Sequence, residues 1–206
     1  MKAANTFSSA TVIASASYQS QTMDINTDLL DTTKQGTLND QVIDSYVTTF
    51  IHELFHIFEL VGNANTTLYD ITSYTDHFVY TGAQGLAGYK ELITTNDNNG
   101  EFSGKTLDIA NMVGIPIEDD FGEGTQYYHW EEGLDNDGTT DEPRSYDAGS
   151  GAKDYPILTN EIMTGLKATD NKYLTPITTG ALKDVGHTIN DASIWVTKTG
   201  TNMNWK

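Results

Sequence analysis

Cysteine is missing from all 206 residues, which excludes a disulfide framework and thiolate metal sites and leaves the redox compartment open. Basic residues are few, 11 against 29 acidic ones, for a net charge of −18. A field of that sign repels phosphate backbones and anionic bilayers, so neither nucleic acid nor a membrane surface is an expected partner. It fits salty or calcium-containing surroundings, although a solvated acidic surface is the commoner cause. No apolar run reaches the roughly 18 to 20 residues of a membrane span. After Met1-Lys2-Ala3-Ala4-Asn5 the stretch from Ala10 to Ala16 is short and broken by Thr11 and Ser15, so no signal peptide is expected there. No internal repeat is present.

What remains is enough for a folded chain. Hydrophobic residues make up 37% and aromatics 10%, and the length suits one domain, or two lobes about a cleft. Residues 10–18 and Thr22 to Asn26 are expected to be strands, and the polar stretch Asp28 to Asp40 a loop. Short helices are expected over Leu86–Thr94 and Leu107–Val113, with turn chemistry in Asn96-Asp97-Asn98-Asn99-Gly100 between them. Gly114 to Thr125 reads as a glycine-punctuated loop, and Asn160 to Gly165 as a tight, partly apolar turn. Thr175 and Pro176 predict an N-cap and first helical position, for a helix carrying Ile177, Leu182 and Val185 and closed by Gly186. The tail from Asp191 to Lys206 is expected to add a strand.

The strongest pattern is His52-Glu53-Leu54-Phe55-His56, a His-Glu-x-x-His. At about 100° per residue the two histidines fall within about 40° of each other on a helix, so both imidazoles reach one ion. Glu53 lies about 100° round from His52, beside the ion rather than on it. Ile43, Val47, Phe50, Leu54, Phe58 and Val61 recur at steps of three and four and predict an amphipathic helix over residues 41–61. This stripe is centred opposite the histidines, so the helix is expected to bury one face and offer the other to a cleft. Two histidines do not complete a catalytic zinc site, which takes three protein ligands plus water. Of the other histidines, His77 and His187 read as structural. His129 follows a glycine-rich loop and precedes Trp130, a setting more often packing than ligation.

The order of motifs resembles the leishmanolysin-like metallopeptidases, metzincins whose third zinc histidine is displaced downstream. The resemblance rests on His52-Glu53-Leu54-Phe55-His56, then Phe78-Val79-Tyr80-Thr81-Gly82 leading toward Tyr89, then Gly114-Ile115-Pro116-Ile117-Glu118. It continues through Gly122 to Thr125, His129-Trp130-Glu131-Glu132, Asn160-Glu161-Ile162-Met163-Thr164-Gly165, and Leu174 to Gly186. It implies Zn2+ on His52, His56 and His129, Glu53 as catalytic acid/base, and Met163 in a methionine turn under the metal. It also implies an α+β zincin fold in one catalytic domain, 1–206. The upper lobe, about 1–128, would hold a twisted mixed sheet and the active-site helix. The lower lobe, about 129–206, would be mainly helical. The implied activity is zinc-dependent hydrolysis of peptide bonds in proteins, by a secreted and monomeric enzyme. A strand near Met23 to Asn26 would pair with the extended substrate.

Three features depart from the family. Glycine normally stands seven residues after the first histidine; here the residue is Glu59, which does not take glycine's left-handed backbone easily. The helix is therefore expected to run on to Gly62, with Glu59 solvated, supporting a ligand, or competing for metal. The separation of His129 from Met163 is long because an acidic, glycine-rich stretch, 135–153, intervenes. The protozoan relatives are rich in cysteine, and this chain has none. The turns Asn96–Glu101 and Asp135–Glu142 carry oxygen ligands at calcium-like spacing, with Asp135, Asp137 and Asp141 the candidates for Ca2+, although solvated turns are commoner. Two other readings stay open. One is a zincin with a glutamate third ligand, Glu91 or Glu101. The other is a silent binding or adhesion module on a zincin scaffold.

Overall fold

A hairpin leads into the motif helix. Strand β4 (Gln35–Leu38) pairs antiparallel with β5 (Gln41–Asp44) in a register that sets Leu38 opposite Gln41. Only Asn39 and Asp40 stand between them, residue types suited to two-residue hairpin connections. The expected loop over 28–40 thus holds a strand, and the expected helix start at 41 is a strand too. β-branched Val42 and Ile43 favour the pleated pairing over a helical turn. Helix α1 (Ser45–Ile57) follows directly. The computed structural model describes residues 2–3, 13–17, 19–29, 34–38, 41–58, 69–70, 79–98, 107–118, 127–131, 156, 160–165 and 171–190.

Within these residues the chain is mixed α+β, and the expected single twisted sheet is three sheets of three strands. The first contains β1 (Lys2–Ala3), β2 (Ala14–Ser17) and β3 (Thr22–Ile25), with β3 in the middle, parallel to β1 and antiparallel to β2. The stretch expected to offer a free edge to substrate is therefore already paired on both sides. The second sheet is β5–β4–β9, where β9 (Asn171–Lys172) runs parallel to β4. The third is antiparallel throughout, from β6 (Tyr69–Asp70), β7 (Val79–Tyr80) and β8 (Ile115–Pro116), so part of the expected glycine-rich loop is strand.

Helix α2 (Ala83–Asn98) is longer than its apolar pattern indicates and takes in Asn96, Asp97 and Asn98, which were expected to turn. Asn96 is buried and its side-chain amide donates to the Leu92 carbonyl at 2.7 Å, so it is spent inside the helix rather than ending it. Residues 107–113 form only a short 3-10 turn at Ile109–Asn111. Helix α3 (Pro176–Asp184) matches expectation at both ends. The Thr175 hydroxyl accepts from the Ile177 N–H, and Gly186 closes the helix at φ +100°.

α2 and α3 pack face to face because small residues let their backbones meet. A Cβ on Gly88 would strike the Pro176 carbonyl, and one on Gly180 would strike that of Gln84. Asp184 at the end of α3 accepts from the Gln84 and Gly85 N–H groups, each at 2.9 Å, and so caps α2 from outside. Tyr80, Tyr89, Leu92, Ile93, Ile115, Ile117, Trp130, Ile162 and Ile177 are essentially inaccessible and form the middle of the core. Beyond His129 the described residues hold one helix, α3, with β9. No helix among the described residues is long and apolar enough to cross a membrane. The tail expected to form a strand, 191–206, lies outside the described residues.

Candidate metal centre

α1 brings the two motif histidines onto one face, but not by the expected packing. Leu54 and Phe58, from the apolar stripe, are 40% and 37% exposed, whereas Phe55 is buried. Thr48, Glu53 and Phe55 are the buried positions, so α1 turns its histidine side inward to the protein. The helix also stops sooner than expected. Phe58 N–H donates to both the Leu54 and Phe55 carbonyls, and its backbone at φ −82°, ψ 15° ends the helix after Ile57. Glu59 lies outside the described residues, as do Gly62 and His77. His187 is satisfied structurally, as expected: its Nε2 donates to the Phe58 carbonyl at 2.9 Å.

His129 comes to the same place from the other side of the core. Tyr127, in the left-handed region at φ +70°, turns the chain, and its N–H donates to the Glu118 carbonyl. Glu118 N–H donates in return to the His129 carbonyl, and Ile117 pairs with Trp130. Trp130 N–H then donates to the Met163 carbonyl, so one short segment joins β8 to the methionine turn. His129 is 5% exposed.

The three imidazoles meet through their Nε2 atoms. His52 and His129 are 3.0 Å apart, His52 and His56 3.1 Å, and His56 and His129 3.2 Å. A tetrahedral zinc with Zn–N near 2.0–2.1 Å separates its ligand nitrogens by about 3.3 Å. The triangle is thus of the size one small cation fills. Nδ1 of His52 lies 2.7 Å from the Ile162 carbonyl, which can only accept, so Nδ1 carries the proton and Nε2 presents its lone pair. Desolvation pushes the His52 imidazolium down to about 4, with the Lys172 charge adding to it and the Ile162 hydrogen bond opposing. His52 is therefore neutral at ordinary pH, the form a metal needs. Among the described residues this is the one group of histidines and carboxylates arranged to hold an ion.

Glu53 is buried, and its carboxylate accepts no hydrogen bond from any described residue. Burial alone pushes its carboxyl up to about 7. Glu53 directly follows His52 on α1, so a buried carboxyl raised in this way stands on the same helix as two of the imidazoles. Met163 is fully buried in the turn that touches both His52 and Trp130 through its backbone. Glu91, the described alternative ligand, is exposed on α2 and outside the histidine group; Glu101 lies outside the described residues. Asp135, Asp137 and Asp141 do as well, and with them the calcium stretch.

Two side chains of this region carried no signal strong enough to single them out. Lys172 is buried on β9 and donates from Nζ to the Thr164 hydroxyl at 2.8 Å. Glu161 is wholly buried in the methionine turn; its one clue is a charged residue preceding an apolar pair in a short turn. No protein-family model, curated protein or solved structure matches the chain. The functional reading therefore stands on the geometry of the three imidazoles.

Proposed function

We propose that the chain is a zinc-dependent endopeptidase of leishmanolysin-like type, a two-lobed zincin that cleaves proteins or peptides outside the cell. The observation that carries this is the Nε2 triangle of His52, His56 and His129, with Glu53 buried on the same helix, one residue after His52. Three histidine nitrogens, with a fourth position left to water, are a donor set that catalytic zinc uses. Zinc in such a site supplies Lewis acidity and brings a water's pKa near neutral.

The chain's own groups would divide the remaining work. The three Nε2 atoms hold the ion, and the Ile162 carbonyl keeps His52 in its ligating tautomer. Glu53 takes a proton onto its carboxylate as water attacks the scissile carbonyl, then returns it to the departing amine nitrogen. Buried surroundings strengthen each of these electrostatic interactions.

The test is direct. Purified protein is expected to contain about one zinc per chain and to cleave casein or gelatin. A chelator, and separately Glu53→Ala, should abolish cleavage, while Glu53→Ala keeps its zinc. Stoichiometric zinc with no cleavage across a broad peptide library would sink the protease reading and leave a metal-binding module.

A further inference from the structure

We infer that Glu161 is a positioning residue of the metal centre, acting on His52 through the turn it holds. This deepens the zinc reading and rests on it for its functional meaning, though the geometry is independent of any ion.

The Glu161 carboxylate accepts from three donors in two parts of the chain. Its Oε2 accepts from the Met163 N–H at 2.7 Å, within its own turn. Its Oε1 accepts from the Thr175 hydroxyl at 3.1 Å and the Thr178 hydroxyl at 2.5 Å, both at the start of α3. The Thr178 oxygen in turn accepts from the indole N–H of Trp130 at 3.1 Å. One buried carboxylate therefore fastens the methionine turn to the first turn of α3 and, through Thr178, to the residue after His129.

The turn it fixes is the one that addresses the metal ligand. The Ile162 carbonyl, between Glu161 and Met163, accepts from His52 Nδ1. Its direction is set on one side by the Glu161–Met163 bond and on the other by the pairing of Ile162 N–H with the Tyr173 carbonyl. Without the carboxylate the Met163 N–H loses its partner, and the peptide unit carrying the Ile162 carbonyl is the one that includes that N–H. Rotating it turns the carbonyl away from His52. A residue that never touches the ion thus decides which nitrogen of His52 faces it.

The experiment compares Glu161→Ala with Leu182→Ala, a buried α3 substitution that loosens the same helix and removes none of the Glu161 hydrogen bonds. Nitrogen-15 NMR of the metal-free protein reads the His52 tautomer, and chelator competition reads zinc affinity. Glu161→Ala is expected to lose the Nδ1–H form of His52 and to bind zinc at least tenfold more weakly, whereas Leu182→Ala keeps both. If Glu161→Ala does not fold, Glu161→Asp serves, since its shorter carboxylate cannot span Met163 and the threonines together; the same two changes are expected, smaller. Wild-type tautomer and affinity in the Glu161 variant, or losses no larger than those of Leu182→Ala, overturn the role. Should the wild type bind no zinc, the metal reading falls, and the tautomer comparison still decides for or against Glu161.

Discussion

His52 donates from Nδ1 to the Ile162 carbonyl at 2.7 Å, tying the first motif histidine of α1 to a turn 110 residues further along the chain. On the proposed function, metal capture, catalysis and the integrity of the turn around Met163 would be joined at this bond, and each can be probed separately.

His129→Ala removes one corner of the imidazole triangle. Zinc affinity is expected to fall on the order of 100-fold or more, beyond the 10- to 100-fold loss usual for an outer partner, and cleavage should vanish with it. Competition titration against a chelating dye measures the first and a casein assay the second. Full zinc and full activity in this variant would place the third ligand elsewhere, with Glu101 the first residue to mutate.

Zinc should stabilise the fold, because the unfolded chain scatters the three histidines. At 100 times its dissociation constant the ion adds about 2.7 kcal/mol. For a chain of this size that raises the melting temperature by roughly 5 to 10 °C. Calorimetry with and without chelator checks it; coincident transitions would deny the site any native-state affinity.

Stability of the metal-free protein should depend on pH through Glu161. Burial pushes this carboxyl up to about 7 from an ordinary 4.5, against the pull of hydrogen bonds from Thr178, Met163 and Thr175. Below about 4.5 both folded and unfolded chains hold the proton and the group's stabilisation is whole. It falls as pH rises through 7, where the folded state must ionise a buried group, by about 3 kcal/mol in total. Glu161→Gln cannot ionise, so its urea midpoint should decline less than the wild type's between pH 4.5 and 8. Parallel profiles would show that Glu161 does not titrate in this range.

Gly88→Ala should cost about 1 to 3 kcal/mol by forcing α2 away from α3 at the Pro176 carbonyl. Chemical denaturation is the measurement. An unchanged midpoint would mean that the two helices can separate without loss.

The legible parts of the chain were those fixed by neighbours in sequence. The i, i+4 histidines, the Thr175-Pro176 start of α3 and the left-handed Gly186 each depend on a few adjacent residues, and each is found where their chemistry puts it. The illegible parts depend on remote partners. Which face of α1 is buried depends on β2, β3 and β4, which pack against it, and on the His129 segment and the 160–165 turn, which meet its histidines; Phe55 and Glu53 are covered while Leu54 and Phe58 are not. β4 was hidden because Gln35 and Gly36 have no strand propensity of their own and are held by β5 and β9. Glu161 was hidden because a carboxylate's value in a core is set by the donors that reach it, here from α3.

The imidazole triangle also has a place in time. Its two contacts to His129 close loops of 77 and 73 residues, whereas helical turns and the β4–β5 hairpin close over a handful. Long closures are made late in folding, after local structure has formed. Zinc added during refolding would be captured tightly only by chains in which α1, the 127–131 segment and the 160–165 turn have already docked. Its uptake would thus clock the final docking step, not the collapse that precedes it.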